Sequence, residues 1–443
     1  MAERDMTDLK PIAIFTIGTQ GDIRPCVALG RGLRNAGYPV RIVTSDNFAP
    51  LVAEAGLEFR PLTSNFQALL EADRSIADRG LDTRAMARVF RETFADWAEH
   101  WVDQGRTASE DAGLLIGVGN ATLLAKSLAE ARGLPFVGAQ LQPLTPSRIL
   151  APMVLAGSRR QLPPTLNMGA YHLLRLLVWH VMRPAINDIV RPQLGLRRYP
   201  WYGPYFHAGG DDNRVVYGFS RHVLPRPADW PESAQVAGYW FHEQPDWQPS
   251  PALREFLEAG PKPFYIGFGS MVSSEASAFT ATVLDGVRGS GQRAVLATGW
   301  GGLDHAEGRH DEHTFFIRQA PHDWLFPRMS AAVHHGGAGT TAAAVRAGIP
   351  SVIVPFYGDQ PFWARCLLRA GVAPPALDRR HLRADELAAA LAATTPLQPA
   401  AAALGARVRA EDGIGSAIAH LRRWGLLQPR VMAAAAERLE RIA

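Results

Sequence analysis

Residues 331–363, AAVHHGGAGTTAAAVRAGIPSVIVPFYGDQPFW, decide the fold. Ala331 to His335 is a short apolar run that stops at a glycine cluster, as a buried strand does, and Ala342 to Val345 starts a helix. Ser351 to Pro355 reads as a second buried strand, and Gly358-Asp359-Gln360 is a polar hook before an aromatic pair. Strand, glycine turn, helix and strand in that order make a parallel βαβ unit. Amide groups at a helix start lack partners in the preceding chain and together offer an anion roughly half a positive charge. Gly336, Gly337 and Gly339, with only the small Ala338 among them, let a pyrophosphate approach the backbone, while His335, Thr340 and Thr341 add side-chain donors. On the glycines alone, a diphosphate cradle and the plain glycine-rich turn of any α/β domain are equally good readings.

Working outward, the same unit continues upstream: Pro263 to Phe268 reads as a strand, Gly269-Ser270 as its turn, and Glu275 to Gly289 as a helix, with strands at Ala294 to Ala297 and Phe315 to Ile317. A separate opening stands at the front of the chain. Ile12 to Ile17 is a buried strand, Gly18-Thr19-Gln20-Gly21-Asp22 its turn, and a helix runs from about Pro25 to Ala36, with Pro25 suited to its first turn. Val40 to Thr44, Leu114 to Val118 and Phe136 to Ala139 alternate with helical stretches, the pattern of a parallel sheet. Two doubly wound units follow, separated by a stretch rich in proline (Pro225, Pro227, Pro231, Pro245, Pro249, Pro251 and Pro261). The expected division is 1–225, a linker at 226–240, 241–410, and C-terminal helices at 411–443 that pack back toward the first unit, including candidates at Gly415 to Trp424 and Val431 to Ala443.

Composition narrows the function. The 443 residues are 47% hydrophobic and 20% charged, as in a well-cored globular chain. The net charge of +4 comes almost wholly from scattered arginine, the lysines being Lys10, Lys126 and Lys262. No dense basic run marks a nucleic-acid footprint, although a weak attraction to acidic membrane surfaces stays open. Cys26 and Cys366 lack metal or redox spacing and suit a reducing cytosol, the N-terminus reads as no signal peptide, and the apolar stretch Tyr171 to Val190 is interrupted by charge and proline. A cytoplasmic protein without an integral membrane segment is expected. The first turn is Gly-x-x-Gly-Asp, which is not the dinucleotide fingerprint, and no lysine follows a glycine loop, so nicotinamide and NTPase readings fall away. An Asp-x-Asp pair for a metal-bridged diphosphate is also missing from the sequence, which leaves amide groups, a helix dipole and neutral donors to hold such a group.

Phe15 to Leu33, Phe264 to Met271, Thr298 to Leu303, Pro321 to Pro327 and His334 to Trp363, in that order, resemble blocks of the sterol glucosyltransferase-like enzymes and antibiotic glycosyltransferases, closest to the sterol branch. The resemblance implies the GT-B architecture: two Rossmann-like, doubly wound parallel-sheet domains facing across a cleft. The first would hold the acceptor and the second a nucleotide sugar, with transfer inverting the anomeric centre and no metal or tightly bound cofactor. UDP-glucose is the implied co-substrate; related antibiotic enzymes use thymidine diphosphate sugars.

Asp22 is the candidate general base, since it follows the first strand at the carboxyl edge where such sheets place ligands. Its alternative is a helix cap. Many related plant enzymes use a histidine from a similar loop, but the first histidine here is His100. Thr19 and Gln20 would lie near the sugar or diphosphate. The resemblance assigns His335, Ala338, Gly339 and Thr340 to the diphosphate, with Ser270 from the facing turn. It gives the hexose hydroxyls to Asp359 and Gln360, and the nucleobase and ribose to Gln319, Pro321 and His322, with Thr298 nearby. Asp359 too has a helix cap as its alternative. Plant-type relatives carry tryptophan at Gln319 and glutamate at Ala343, so base stacking and a ribose carboxylate are not supplied in that way. A lipophilic, hydroxylated acceptor is expected over residues 60–210, where Trp97, Trp101, Met153, Tyr171, Trp179, Met182, Trp201, Tyr202, Tyr205 and Phe206 are candidate lining and Leu173 to Met182 a candidate mobile helix over its mouth, with plain core as its alternative. A nucleotide-sugar epimerase and a non-catalytic binding module are the competing classes.

Overall fold

The computed structural model describes residues 9–66, 68–69, 83–155, 163–206, 214–244, 246–269, 276–299, 303 and 311–427. Two all-parallel sheets organise them. The first has strands β1 (Ile12–Ile17), β2 (Val40–Thr44), β3 (Glu58–Pro61), β4 (Leu114–Gly119), β5 (Phe136–Gln140), β6 (Val215–Tyr217) and β7 (Ala234–Val236) in the order β3-β2-β1-β4-β5-β6-β7. The second has β8 (Phe264–Gly267), β9 (Ala294–Ala297), β10 (Thr314–Ile317), β11 (Ala332–His334) and β12 (Ser351–Ile353) in the order β10-β9-β8-β11-β12. β1 is buried along its whole length, as a strand with helices on both faces must be. Each sheet reverses direction of winding once, between β1 and β4 and between β8 and β11. Ligands of open α/β sheets bind in the crevice outside the strand ends at such a point.

The principal helices are α1 (Gln20–Asn35), α2 (Thr83–Ala108), α3 (Thr122–Arg132), α4 (Pro164–Arg183), α5 (Ala276–Ser290), α6 (Ala338–Ala347), α7 (Gln360–Arg369), α8 (Gln398–Arg409) and α9 (Gly413–Arg423). Two begin earlier than expected. α1 starts at Gln20, not Pro25, because extended Thr19 and Asp22 three positions on form a capping box. Pro25 therefore lies inside the helix, where it has no N–H for the Gly21 carbonyl. α6 starts at Ala338, with Gly337 as its extended N-cap, so Gly339 belongs to the helix itself. Strands β3, β6 and β7 carry too little apolar sequence to signal themselves: β3 is a half-exposed edge, and the other two have three residues each. Residues 226–240 hold β7, so the chain passes between the sheets after Val236 and before Phe264.

α9 returns to the first domain, where Ala417, Ile418 and Leu421 share a core with Val27 and Leu33 of α1. The candidate helix from Val431 lies outside the described residues. Another cluster joins the two domains: Tyr217 at the end of β6 and Phe219 beyond it pack with Phe362, Trp363 and Cys366 of α7 and Leu404 and Val408 of α8. One stretch, Ala384–Arg409, is long and apolar enough to cross a membrane by length and composition. Here it is broken into two helices by Thr395–Leu397, and Leu387, Leu391, Leu404 and Val408 are buried in protein.

Candidate active site

The two reversal points face each other. Between them lies a cleft of 990 Å³, lined by Thr19, Gln20 and Asp22 from the first domain and by Gln319, Pro321, His322, His335, Ala338, Gly339, Thr340, Asp359 and Gln360 from the second. The starts of α1 and α6 approach closely: a Cβ built on Gly339 would stand 3.8 Å from the Gly21 Cα. Two helix N-termini thus direct unpaired amide groups into one space, a strong field for an anion.

The turn after β11 is held from below by a residue that sequence reading passed over. His334 is fully buried, and its Nδ1 accepts the Gly336 N–H at 3.1 Å. That bond supports Gly336 at a φ of +90°, the bend that turns the chain from strand to cradle. His335, next along, is half-buried against Gly269, with its Nδ1 unpartnered. Desolvation lowers its pKa to about 4, so at neutral pH it is an uncharged imidazole that donates one hydrogen bond.

Asp22 is a cap and a cleft residue at once, so the two sequence readings are not alternatives. Its Oδ2 accepts from the Thr19 N–H at 2.9 Å and the Thr19 hydroxyl at 3.3 Å. Burial nevertheless dominates and raises its pKa from 3.8 to about 6, the Thr19 bonds pulling down and the nearby Asp359 charge pushing further up. A carboxylate raised to about 6 titrates close to neutrality.

Asp359 is the N-cap residue of α7 by backbone position, yet its side chain does not cap. Its Oδ2 accepts from Trp363 Nε1 at 2.8 Å and from Gln142 Nε2 at 3.3 Å, the latter reaching over from the loop after β5. Trp363 is itself fixed, fully buried with its ring 5.8 Å from Phe219. Burial raises the Asp359 pKa. Gln360 differs from expectation: its Oε1 accepts from the Phe356 and Tyr357 N–H groups at 2.6 and 3.1 Å, which spends the carbonyl on shaping the loop. Gln142 and Trp363 were not singled out from sequence, although the position of Gln142 just beyond a strand end was a usable signal.

At the far end of the cleft, His322 stacks on Phe326 with ring centroids 4.3 Å apart and has its pKa lowered to about 3 by burial. Gln319 is exposed. Thr298 does not line the cleft; its hydroxyl donates to the Ile317 carbonyl at 3.4 Å, and its neighbours Ala297 and Gly299 form the wall. Ser270 lies outside the described residues. Three of the aromatic residues expected to receive the acceptor, Trp101, Trp179 and Tyr171, are fully buried core, and Trp97 packs edge-on to Phe66 and Phe94, while Tyr205 is half-buried and Trp201 exposed. The cleft's own apolar wall in the first domain comes from Leu141, Tyr239 and Trp240, which the turns after β5 and β7 supply.

The description "Glycosyltransferase family 28 N-terminal domain" matches residues 12–150, and "Erythromycin biosynthesis protein CIII-like, C-terminal domain" matches residues 316–414. A sterol 3-beta-glucosyltransferase of Neosartorya fischeri is 33% identical over 92% of this chain, which spans 29% of that protein. One from Arabidopsis thaliana is 31% identical over 92% of this chain, which spans 67% of it. Among solved structures, the kitacinnamycin glycotransferase shares the fold with a TM-score of 0.65 at 20% identity, covering 95% of this chain and 100% of that one. With its paired parallel sheets and these matches, the chain belongs to the sterol glucosyltransferase-like family of GT-B glycosyltransferases.

Proposed function

We propose that this protein transfers a hexose, with glucose from UDP-glucose the first choice, to a hydroxyl of a lipophilic small molecule such as a sterol, terpenoid or polyketide, with inversion and without a metal. The observation that carries the reading is Asp22: a carboxylate tuned to about 6 that faces the sugar-side Asp359 over a cleft floored by two helix N-termini. The acceptor hydroxyl gives its proton to Asp22 as its oxygen forms a bond to the anomeric carbon. The bond from that carbon to the diphosphate oxygen breaks, and the electron pair leaves with the diphosphate. Amide groups at Ala338, Gly339 and Thr340 and the neutral His335 N–H receive the departing charge, worth most in a site closed to water. Thr19 fixes the carboxylate through Oδ2, and Oδ1 takes the proton.

Incubating the protein with UDP-glucose, or thymidine diphosphate glucose, and a panel of hydrophobic alcohols tests this. A glycosylated alcohol of inverted configuration is expected; epimerised donor, or nucleotide binding with no product, would overturn it. Asp359→Ala is expected to lower kcat/KM for the donor about ten- to a hundredfold, the loss of hydroxyl bonds to a charged acceptor. Removing its charge also relieves Asp22, so the acid limb of the pH profile should move to lower pH. An unmoved limb would show that the two carboxylates do not communicate.

A further inference from the structure

Arg24 is a charge without a counterpart. It lies one turn into α1, near the end at which the helix dipole disfavours a cation, and its side chain lines the cleft from the first domain. One long bond holds it, Nη1 donating to Gln244 Oε1 at 3.4 Å, while its buried Nε has no partner. Asp323 and Glu54, the carboxylates whose charge it feels, are both exposed, and Arg24 forms no ion pair with any described residue. Burial pulls its pKa below the usual arginine value, and the two carboxylates offset only part of that. The other arginines of the cleft differ. Arg346 pairs with Glu243 and lies over the Phe241 ring at 4.4 Å, Arg409 donates to the Arg346 carbonyl, and Arg318 is exposed.

What Arg24 faces is the second domain. After burial, its charge is the largest influence that keeps His322 neutral, and Gln244, which takes its one bond, is itself tied to Asp323, the Gln244 N–H donating to Oδ2 at 3.1 Å. A guanidinium held partly dehydrated and unpaired destabilises the fold until an anion reaches it. A nucleoside diphosphate in this cleft is met from the other side by the start of α6. We propose that Arg24 is a nucleotide-binding residue, the first domain's cation for the diphosphate of the donor, so that one anion is held from both domains at once. This role rests on the nucleotide-sugar reading of the cleft.

Calorimetry of the full chain with UDP and with uridine tests it. Arg24→Met is expected to weaken UDP binding about ten- to a hundredfold and to leave uridine unchanged, with Arg24→Lys recovering part of the loss. UDP affinity of the parent should fall more steeply with salt than that of Arg24→Met. Without nucleotide, Arg24→Met should melt at or above the parent temperature, because an unpaired charge gives way to an apolar side chain. A parent that fails to bind UDP would remove the nucleotide reading and this role together. Equal UDP affinity in parent and Arg24→Met, an equal loss for uridine, or a lowered melting temperature, as a purely structural arginine would give, would overturn the role of Arg24 alone.

Discussion

Asp22→Asn should abolish most turnover, by about a hundred- to ten-thousand-fold in kcat, while UDP still binds. The amide keeps an oxygen to accept from the Thr19 N–H, so α1 stays capped and the cleft stays shaped. What is lost is the proton acceptor. Calorimetry of UDP binding beside steady-state kinetics separates the two, and normal turnover would remove Asp22 from the mechanism. In the parent enzyme kcat/KM should fall as pH drops through about 6, where Asp22 takes up its proton.

Stability carries an independent signature of the same residue. Asp22 protonates near 6 in the folded chain and at 3.8 when exposed, so between those values the fold binds the extra proton and acid favours it. Above 6 the buried carboxylate costs at most about 3 kcal/mol. Asp22→Asn should therefore be as stable as the parent below pH 3.8 and more stable at neutral pH. The cleft histidines act in the other direction. His322 and His335 stay neutral in the fold down to about 3 and about 4, so below 6.5 the unfolded chain takes up protons they refuse and stability declines. Unfolding followed over the same pH range distinguishes loss of activity from loss of structure.

Gly336→Ala should be a damaging single methyl group in the second domain. A Cβ there would sit 2.8 Å from Ile353 Cγ2 and 3.1 Å from the Gln360 carbonyl, on a backbone at φ +90°. Positive φ costs a non-glycine residue about 1–3 kcal/mol, and forced packing about 1–3 kcal/mol more. Relief by backbone movement would break the Gly336 bond to His334 and tilt the start of α6 away from the anion. Gly358 is the control, since it has φ +70° but nothing within 4 Å of its missing Cβ. Urea unfolding should show a larger loss for Gly336→Ala than for Gly358→Ala, with UDP affinity falling only in the first. Equal losses would mean that strain alone, and not the contact, sets the cost.

Ile12 to Ile17, at a reversal point, was legible as a short apolar run that stops at glycine, and the neighbouring strands Val40 to Thr44 and Ala294 to Ala297 also stand in the structure where their residues place them. Helix starts were less legible, since Thr19 with Asp22 competes with the louder signal of Pro25. Aromatic content misled for a plain reason. Tryptophan and tyrosine bury large area wherever a core needs filling, so Trp101 and Tyr171 became core away from the cleft, while Tyr239 and Trp240 in the proline-rich stretch, buried as well, back the cleft wall.

Local sequence by itself determined the parallel units and the glycine turns, because each depends on residues within a few positions of one another. Docking of the two domains decided the rest: that Asp22 feels Asp359, that Gln142 bonds to the far carboxylate, and that Phe219 and Trp363 share one core. Such pairs lie on separate sheets, and only the packing of one folded surface against another brings their charges close enough, in a poorly hydrated space, to move a pKa.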